Sequence, residues 1–325
     1  GGITGASATN TITFKADPTN TSEAKIQFNG ATSTANNYVI QLNGSTYFVF
    51  DSLSVSSTTG STYGKLVNFT GANSFITFKN NTLYGSRNLS NSDNFSIFYE
   101  NTGATNVSGN LTFDNNTIYG GSNAFYINST GSAHQSNFFI TNNTVMYSSD
   151  YGVYSNESSN VQVTGNYFED DTNRNSTLHV IYLTYSDSAS DVKANNIRIN
   201  SSIGNTYGIR LTYTYGSLTN PVLIENNMIN MYASTSNKLH YGIAIENGYY
   251  QNIYNNTVFT NSSWSSYGRP LYLSASTAAL RGKTNIVNNI FYNNQGTYAI
   301  YTTTGTITYV DSLDYNIYYS TGTPF

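Results

Sequence analysis

The stretch Ile76–Gly85 reads ITFKNNTLYG, and close copies return as LTFDNNTIYG at 111–120 and FFITNNTVMY at 138–147. Later versions are VQVTGNYF (161–168), VLIENNMI (222–229), NIYNNTVF (252–259) and NIVNNIFY (285–292). In each, apolar residues alternate, one or two asparagines interrupt, and an apolar residue resumes. Alternation at period two describes a strand; an amphipathic helix would space its apolar residues at three and four. The segment therefore reads as strand, short corner, strand. Its recurrence marks a repeat architecture in which each unit buries its face only by stacking on the next.

Aligning the apolar residue three positions before the corner puts Asn81, Asn116, Asn143, Asn166, Asn195, Asn227, Asn256, Asn289 and Asn316 in one column. The steps run 35, 27, 23, 29, 32, 29, 33 and 27 residues, the length a three-strand coil needs. Phe48–Val55, FVFDSLSV, fits the apolar pattern without the asparagine. Each unit also carries a strand with a small residue beside its apolar centre, as in Tyr207-Gly208-Ile209-Arg210-Leu211 and Tyr241-Gly242-Ile243-Ala244-Ile245. Residues 1–37 read as irregular N-terminal coil and 38–325 as the repeat body. The expectation is an all-β fold: a single-stranded parallel β-helix of about ten coils with an asparagine ladder, near 50 Å long at about 4.8 Å per stacked strand. Right-handed crossovers are strongly preferred in parallel sheets, so that hand is expected. Register must be strict because a one-residue slip turns apolar side chains outward, whereas loops tolerate insertion. Asparagine suits the corner because it accepts left-handed backbone angles and its amide can bond its counterpart in the next coil.

Composition narrows function. Of 325 residues only 9% are charged, against about 25% in ordinary soluble domains. Thirty tyrosines, with the many Asn, Ser and Thr, supply the polarity instead. A net charge of −4 gives no electrostatic footprint for nucleic acid and no basic run for an anionic membrane surface. No run of about twenty apolar residues is present to insert in a membrane. The absence of cysteine excludes disulfides and thiolate metal sites. The ends, Gly1-Gly2-Ile3 and Thr323-Pro324-Phe325, fall mid-pattern, as expected of a piece of a longer chain.

The repeat resembles right-handed parallel β-helix proteins of the pectate-lyase-like architecture. GGITGASATNTITFKA, NNYVIQLNGSTYFVF, YGIAIENGYYQNIYNNTVFT and the closing VNNIFYNNQGTYAIYTTTGTITYVDSLDYNIYYSTGT resemble, more closely, large secreted β-helix proteins of Bacteroidota that leave through the type IX secretion system. That resemblance implies an extracellular or cell-surface protein with the secretion machinery as a partner, although the C-terminal sorting domain of such cargo is not in the sequence. Asparagine-rich β-helical surface proteins of archaea are a second resemblance.

Down the strand with the small residue, one outward column is read as Gln41, Asn68, Phe98, Tyr126, Tyr154, Tyr182, Arg210, Ala244, Tyr272 and Tyr301. A second runs Tyr38, Asn123, Tyr151, His179, Tyr207, Tyr241, Arg269 and Tyr298. Stacked tyrosines on a flat sheet can bind sugar rings through their faces and hydroxyls; in related lyases this sheet carries the substrate groove. Tyr126, Tyr154, Tyr182, Tyr272 and Tyr301 are the candidate binding residues, for a polysaccharide or cell-surface glycan. Aromatic ladders also stabilise a sheet with no ligand at all.

Catalysis on such a sheet needs a base and converging carboxylates. The best set is Arg210 with Glu246, one coil on, joined by Glu225; a surface ion pair explains them equally. Glu169-Asp170-Asp171, read as a loop, is the densest acidic cluster and the one place for Ca²⁺, but lacks the spacing of a calcium loop. His134, His179 and His240 fall in different coils, so no other metal or cofactor is expected. Sixteen Asn-x-Ser/Thr sequons are present, as chance supplies in such a chain. Asp51-Ser52-Leu53, Asp187-Ser188-Ala189 and Asp311-Ser312-Leu313 resemble the site at which Bacteroidota O-glycosylate exported proteins, making Ser52, Ser188 and Ser312 candidates. The leading expectation is a non-enzymatic extracellular stalk or adhesin segment. A polysaccharide-binding module comes next, then a polysaccharide lyase or hydrolase.

Overall fold

The computed structural model describes residues 2–19, 23–28, 31–57, 62–87, 91–103, 107–130, 134–172, 176–187, 189–200, 204–233, 238–262, 267–275, 283–303 and 310–321. They form two compact units, Gly1–Gln162 and Val163–Phe325. Each is a parallel β-solenoid built from three sheets, and between them they hold about nine turns, close to the ten or so coils expected. Among the described residues no helix is long and apolar enough to cross a membrane.

In the first unit a coil runs Ser74–Lys79, corner, Thr82–Tyr84, then across to Phe98–Gly103. The next runs Gly109–Asp114, Thr117–Tyr119 and Asn123–Thr130. These strands define a pre-corner, a post-corner and a tyrosine-bearing sheet. Ile76 lies opposite Leu111 and Leu111 opposite Phe138, so the three copies of the opening motif stack in register. Even the early strands Ile12–Lys15 and Lys25–Phe28 stack on Phe48–Asp51 and Ser54–Ser57. In the second unit Val222–Glu225, Met228–Ala233 and His240–Glu246 make one coil, and Gln251–Tyr254, Thr257–Ser262 and Gly268–Ser274 the next.

The alternating residues of the motif fill the interior. In the first unit Phe50 stacks on Phe78 at 4.4 Å, and Phe98 stacks on Phe125 at 5.2 Å. Phe98 meets Phe78 edge-on at 5.0 Å. In the second unit Ile197, Ile229 and Val258 make a buried aliphatic column between the rings of Phe168 and Phe291. Fully burying one such side chain contributes about 1.5–3 kcal/mol.

The corner divides its labour between two residues. The residue before the ladder asparagine takes the left-handed conformation: Asn80, Asn115 and Asn142 in the first unit, and Gly165, Ala194, Asn226, Asn255, Asn288 and Tyr315 in the second. The ladder asparagine itself has no positive φ, which corrects the expectation that one asparagine serves both purposes. Its amide is buried instead. Asn81 donates its backbone N–H and Nδ2 to Asn116 Oδ1 at 3.0 and 2.9 Å, and Asn116 Nδ2 donates to Phe78 O at 2.9 Å. Asn116 repeats the pattern onto Asn143. In the second unit the chain Asn195, Asn227, Asn256, Asn289, Asn316 does the same. Where Phe48–Val55 lacks the asparagine, Leu53 N–H donates to Asn81 Oδ1, so the ladder ends there without an orphaned acceptor.

The tyrosine-bearing strands break strict alternation at one shared position, a bulge-like irregularity stacked from coil to coil. Register passes from Tyr207–Tyr241–Arg269 to Ile209–Ile243–Leu271 and skips Gly208, Gly242 and Pro270 alike. Two consecutive inward residues, Gly208 and Ile209 for example, leave outward side chains three positions apart, Tyr207 and Arg210, on one face. The inward turn also explains the small residue: a Cβ on Gly242 would lie 2.2 Å from Val258 Cγ1 and 2.6 Å from Pro270 O. Proline is tolerated here because the skipped position contributes no ladder bond.

Candidate functional site

The outward columns are where the sequence places them, with one correction. Asn68 pairs with Tyr99 and Tyr99 with Tyr126, so Tyr99 belongs to the column and Phe98 points into the core. The neighbouring aromatics are interchangeable in a pattern of period two, and the bulge decides which faces out.

In the first unit Tyr99 stacks on Tyr126 at 5.2 Å and Tyr126 on Tyr154 at 4.8 Å. Tyr151 packs beside both Tyr126 and Tyr154. Against this stack stands a group that the sequence reading missed. Lys65 Nζ lies 3.3 Å above the Tyr99 ring, beside Asp93. Buried Asn123, whose Nδ2 donates to Asp93 Oδ1 and Ser96 Oγ, closes the group. Burial pulls the Lys65 ammonium down to about 8, opposed by the Asp93 charge, and burial raises Asp93. No spacing links Lys65, Asp93 and Tyr99 in the sequence; loops of different coils bring them together.

In the second unit Arg210 and Glu246 meet as expected, through Nη2 and Nε to Oε2 at 2.8 and 3.2 Å. Thr212 Oγ1 donates to the same oxygen at 3.3 Å. Glu225 does not join them: it sits on the pre-corner sheet, in register with Lys193 and Tyr254. His179 does. Arg210 Nη1 lies 3.0 Å from His179 Nε2, and because a guanidinium only donates, Nε2 accepts and the ring proton sits on Nδ1. Burial, with the Arg210 charge second, pushes His179 down to about 3, so the imidazole is neutral. The Arg210 guanidinium lies 4.8 Å from the Tyr182 ring and 4.6 Å from Tyr207, and His179 stacks on both. The result is a closed knot of charge and rings in which acid and cation neutralise each other. Its partners hold it so that it fixes the side chains around it.

Beyond it, Tyr207 stacks on Tyr241 at 4.7 Å and Tyr272 on Tyr301 at 5.9 Å. Arg269 lies 3.9 Å from the Tyr301 ring and donates to the Tyr241 hydroxyl at 3.1 Å. In both units the ring faces of these columns are largely taken by neighbouring rings and guanidinium groups. What remains for a ligand is short runs of ring edges and hydroxyls, such as Tyr99–Tyr126–Tyr154 in the first unit and Tyr272–Tyr301 in the second, interrupted by Arg210 and Ala244. This corrects the expectation of sugar stacking face-on along the columns.

The acidic cluster does not converge. Glu169 and Asp170 belong to the strand Tyr167–Asp170 rather than to a loop, and alternation sends them to opposite faces. Glu169 approaches Arg198 at 3.7 Å, while buried Asp170 accepts from Thr172 Oγ1 at 2.7 Å. Asp171 is exposed beyond the strand. Among the described residues no three His, Asp or Glu side chains gather as a metal site would need. Ser52 is exposed at a corner, bonding Asp51 Oδ1; Ser312 is half-buried on the strand Val310–Asp314; Ser188 lies outside the described residues.

No family model matches the chain, and no curated protein matches it. Among solved structures the chain is similar to the A-module of the mannuronan C-5 epimerase AlgE6 of Azotobacter vinelandii, with a TM-score of 0.45 and 12% identity, covering 98% of this chain and 90% of that one.

Proposed function

We propose that this chain is a non-enzymatic β-helical segment of an extracellular or cell-surface protein, an adhesin or stalk, and that its tyrosine-bearing sheet holds polysaccharide. One observation supports this most directly. In each unit outward tyrosines are held by ring stacking, and in the second also by Arg210 and Arg269, leaving short fixed runs of ring edges and hydroxyls. Within such a run the ~4.8 Å step between stacked strands is close to the spacing of rings in an extended sugar chain. Preorganised aromatic and hydroxyl groups lose little side-chain entropy on binding. Export by type IX secretion, and glycosylation at the exposed Ser52, are proposed on the sequence resemblance alone.

Affinity electrophoresis through gels containing neutral or uronate polysaccharides tests the binding. The protein is expected to be retarded by at least one polysaccharide, and Tyr272→Ala with Tyr301→Ala, or Arg210→Ala, to restore its mobility. Undiminished retardation of those variants overturns the reading.

A polysaccharide lyase is the second reading, favoured by Lys65. An amine brought to about 8 is substantially neutral in mild alkali and can take the proton α to a uronate carboxylate while the C4–O bond breaks and the leaving oxygen is protonated. Ultraviolet absorbance of unsaturated product from a uronate polysaccharide, abolished in Lys65→Met, would replace the non-enzymatic reading.

A further inference from the structure

The post-corner sheet of the second unit carries an outward groove of about 250 Å³ lined by Arg198, Asn200, Asn230, Tyr232 and Phe259, with Ile199 in its floor. The strands Asn196–Asn200, Met228–Ala233 and Thr257–Ser262 place these residues on adjacent strands: Arg198 opposite Asn230, Asn230 opposite Phe259, and Asn200 opposite Tyr232. Three features separate this groove from the tyrosine-bearing sheet. Tyr232 is 44% exposed, and among the described residues no ring stacks on it, so a ring face is open. Asn200 and Asn230 are exposed, and among the described residues neither amide has a hydrogen-bond partner. Arg198 has a side chain 58% exposed; its contact to Glu169 is a single 3.7 Å approach, supplemented by the Tyr167 hydroxyl, which leaves guanidinium donors unused.

We propose that this groove binds one pyranose unit bearing an anionic substituent. A guanidinium fork matches a carboxylate or a sulfate ester through paired N–H donors. The two asparagines present donors and acceptors to vicinal hydroxyls, and the open Tyr232 ring takes the apolar C–H face of the sugar. The groove is open to solvent and large enough to seat one ring with its substituent. The site lies on a different sheet from the tyrosine columns and does not depend on them.

Calorimetric titration with glucuronate, glucose 6-sulfate, glucose and inorganic sulfate tests it. At least one anionic pyranose is expected to saturate the protein, with glucose and inorganic sulfate at least tenfold weaker. Carboxylate-only or sulfate-only binding identifies the substituent. Arg198→Gln and Tyr232→Ala, both exposed positions whose variants are checked by circular dichroism and melting, are each expected to weaken binding at least tenfold. The paired Tyr272→Ala and Tyr301→Ala change leaves it unaltered, whether or not that pair abolishes polysaccharide binding. Failure of both anionic pyranoses to saturate, equal binding of inorganic sulfate, or unchanged affinity in Tyr232→Ala overturns the proposal.

Discussion

At every corner the chain uses two adjacent residues for incompatible tasks. The first bends the backbone into the left-handed region and stays in water, so glycine, alanine and tyrosine can replace asparagine there, as Gly165, Ala194 and Tyr315 do. The second is buried and must supply an amide, and no other residue type occupies that column from Asn81 to Asn316. Asn256 donates from N and Nδ2 to Asn289 Oδ1, donates to Ile224 O, and accepts from Asn227. Removing it orphans buried groups on both sides, each worth about 1–3 kcal/mol. Asn256→Ala is therefore expected to cost about 3 kcal/mol or more in denaturant unfolding. Asn316→Ala, half-buried and with no asparagine beyond it, still strips the acceptor from Asn289 and should cost less, about 1–2 kcal/mol. Equal costs would mean that the ladder does not hold register. A different residue sets a pH response. Glu100 points into the core between Phe69 and Ile127, and burial pushes its carboxyl from 4.5 up to about 8. A raised folded value means that folding takes up a proton between those limits. The stability Glu100 contributes is thus complete below about pH 4.5 and is lost as pH rises to 8, by at most tenfold in the folding equilibrium per unit. Glu100→Gln should remove that slope between pH 4.5 and 8; parallel profiles would place the carboxyl in water.

The bulged strand is the element that turns a structural repeat into a surface. Skipping Gly208, Gly242 and Pro270 brings both tyrosine columns outward; the packing leaves no room for a Cβ at Gly242, whereas Val180 fills the equivalent position of its own strand. Gly242→Ala drives a Cβ into Val258 and the Pro270 carbonyl, an overpacking expected to cost about 1–3 kcal/mol. Gly103→Ala, with nothing within 4 Å of its added Cβ, should be close to neutral. Comparable melting temperatures for the two would show that the bulge relaxes freely. Strand and corner are legible in the sequence because apolar alternation and the asparagine column repeat at every coil. The bulge is only half legible: the small residues mark it, but period two alone assigns Phe98 to the face that Tyr99 occupies. Lys65, Asp93 and His179 are not legible as partners, because the loops and coils that bring them together differ in length and carry no shared motif. Nor is the Arg198 groove, whose distinguishing property is the absence of a stacking ring over Tyr232.

Across the whole molecule charged residues are few, so hydroxyl and amide groups supply most of the polarity. Several of the few cations lie over rings: Lys65 over Tyr99, Arg210 over Tyr182 and Tyr207, Arg269 over Tyr301. Each contributes about 0.5–2 kcal/mol to holding its ring in place. A face so rigid favours binding by preorganisation, and binding of a neutral glycan there should be insensitive to salt, whereas the Arg198 groove should weaken as salt screens it. The binding claim is tested most directly by titrating the retarding polysaccharide into the protein and into the Tyr272→Ala, Tyr301→Ala variant. The expected result is a saturable isotherm for the unaltered protein, reduced at least tenfold in the variant at unchanged melting temperature. An isotherm identical in the two proteins, or none in either, would contradict a polysaccharide-holding tyrosine face.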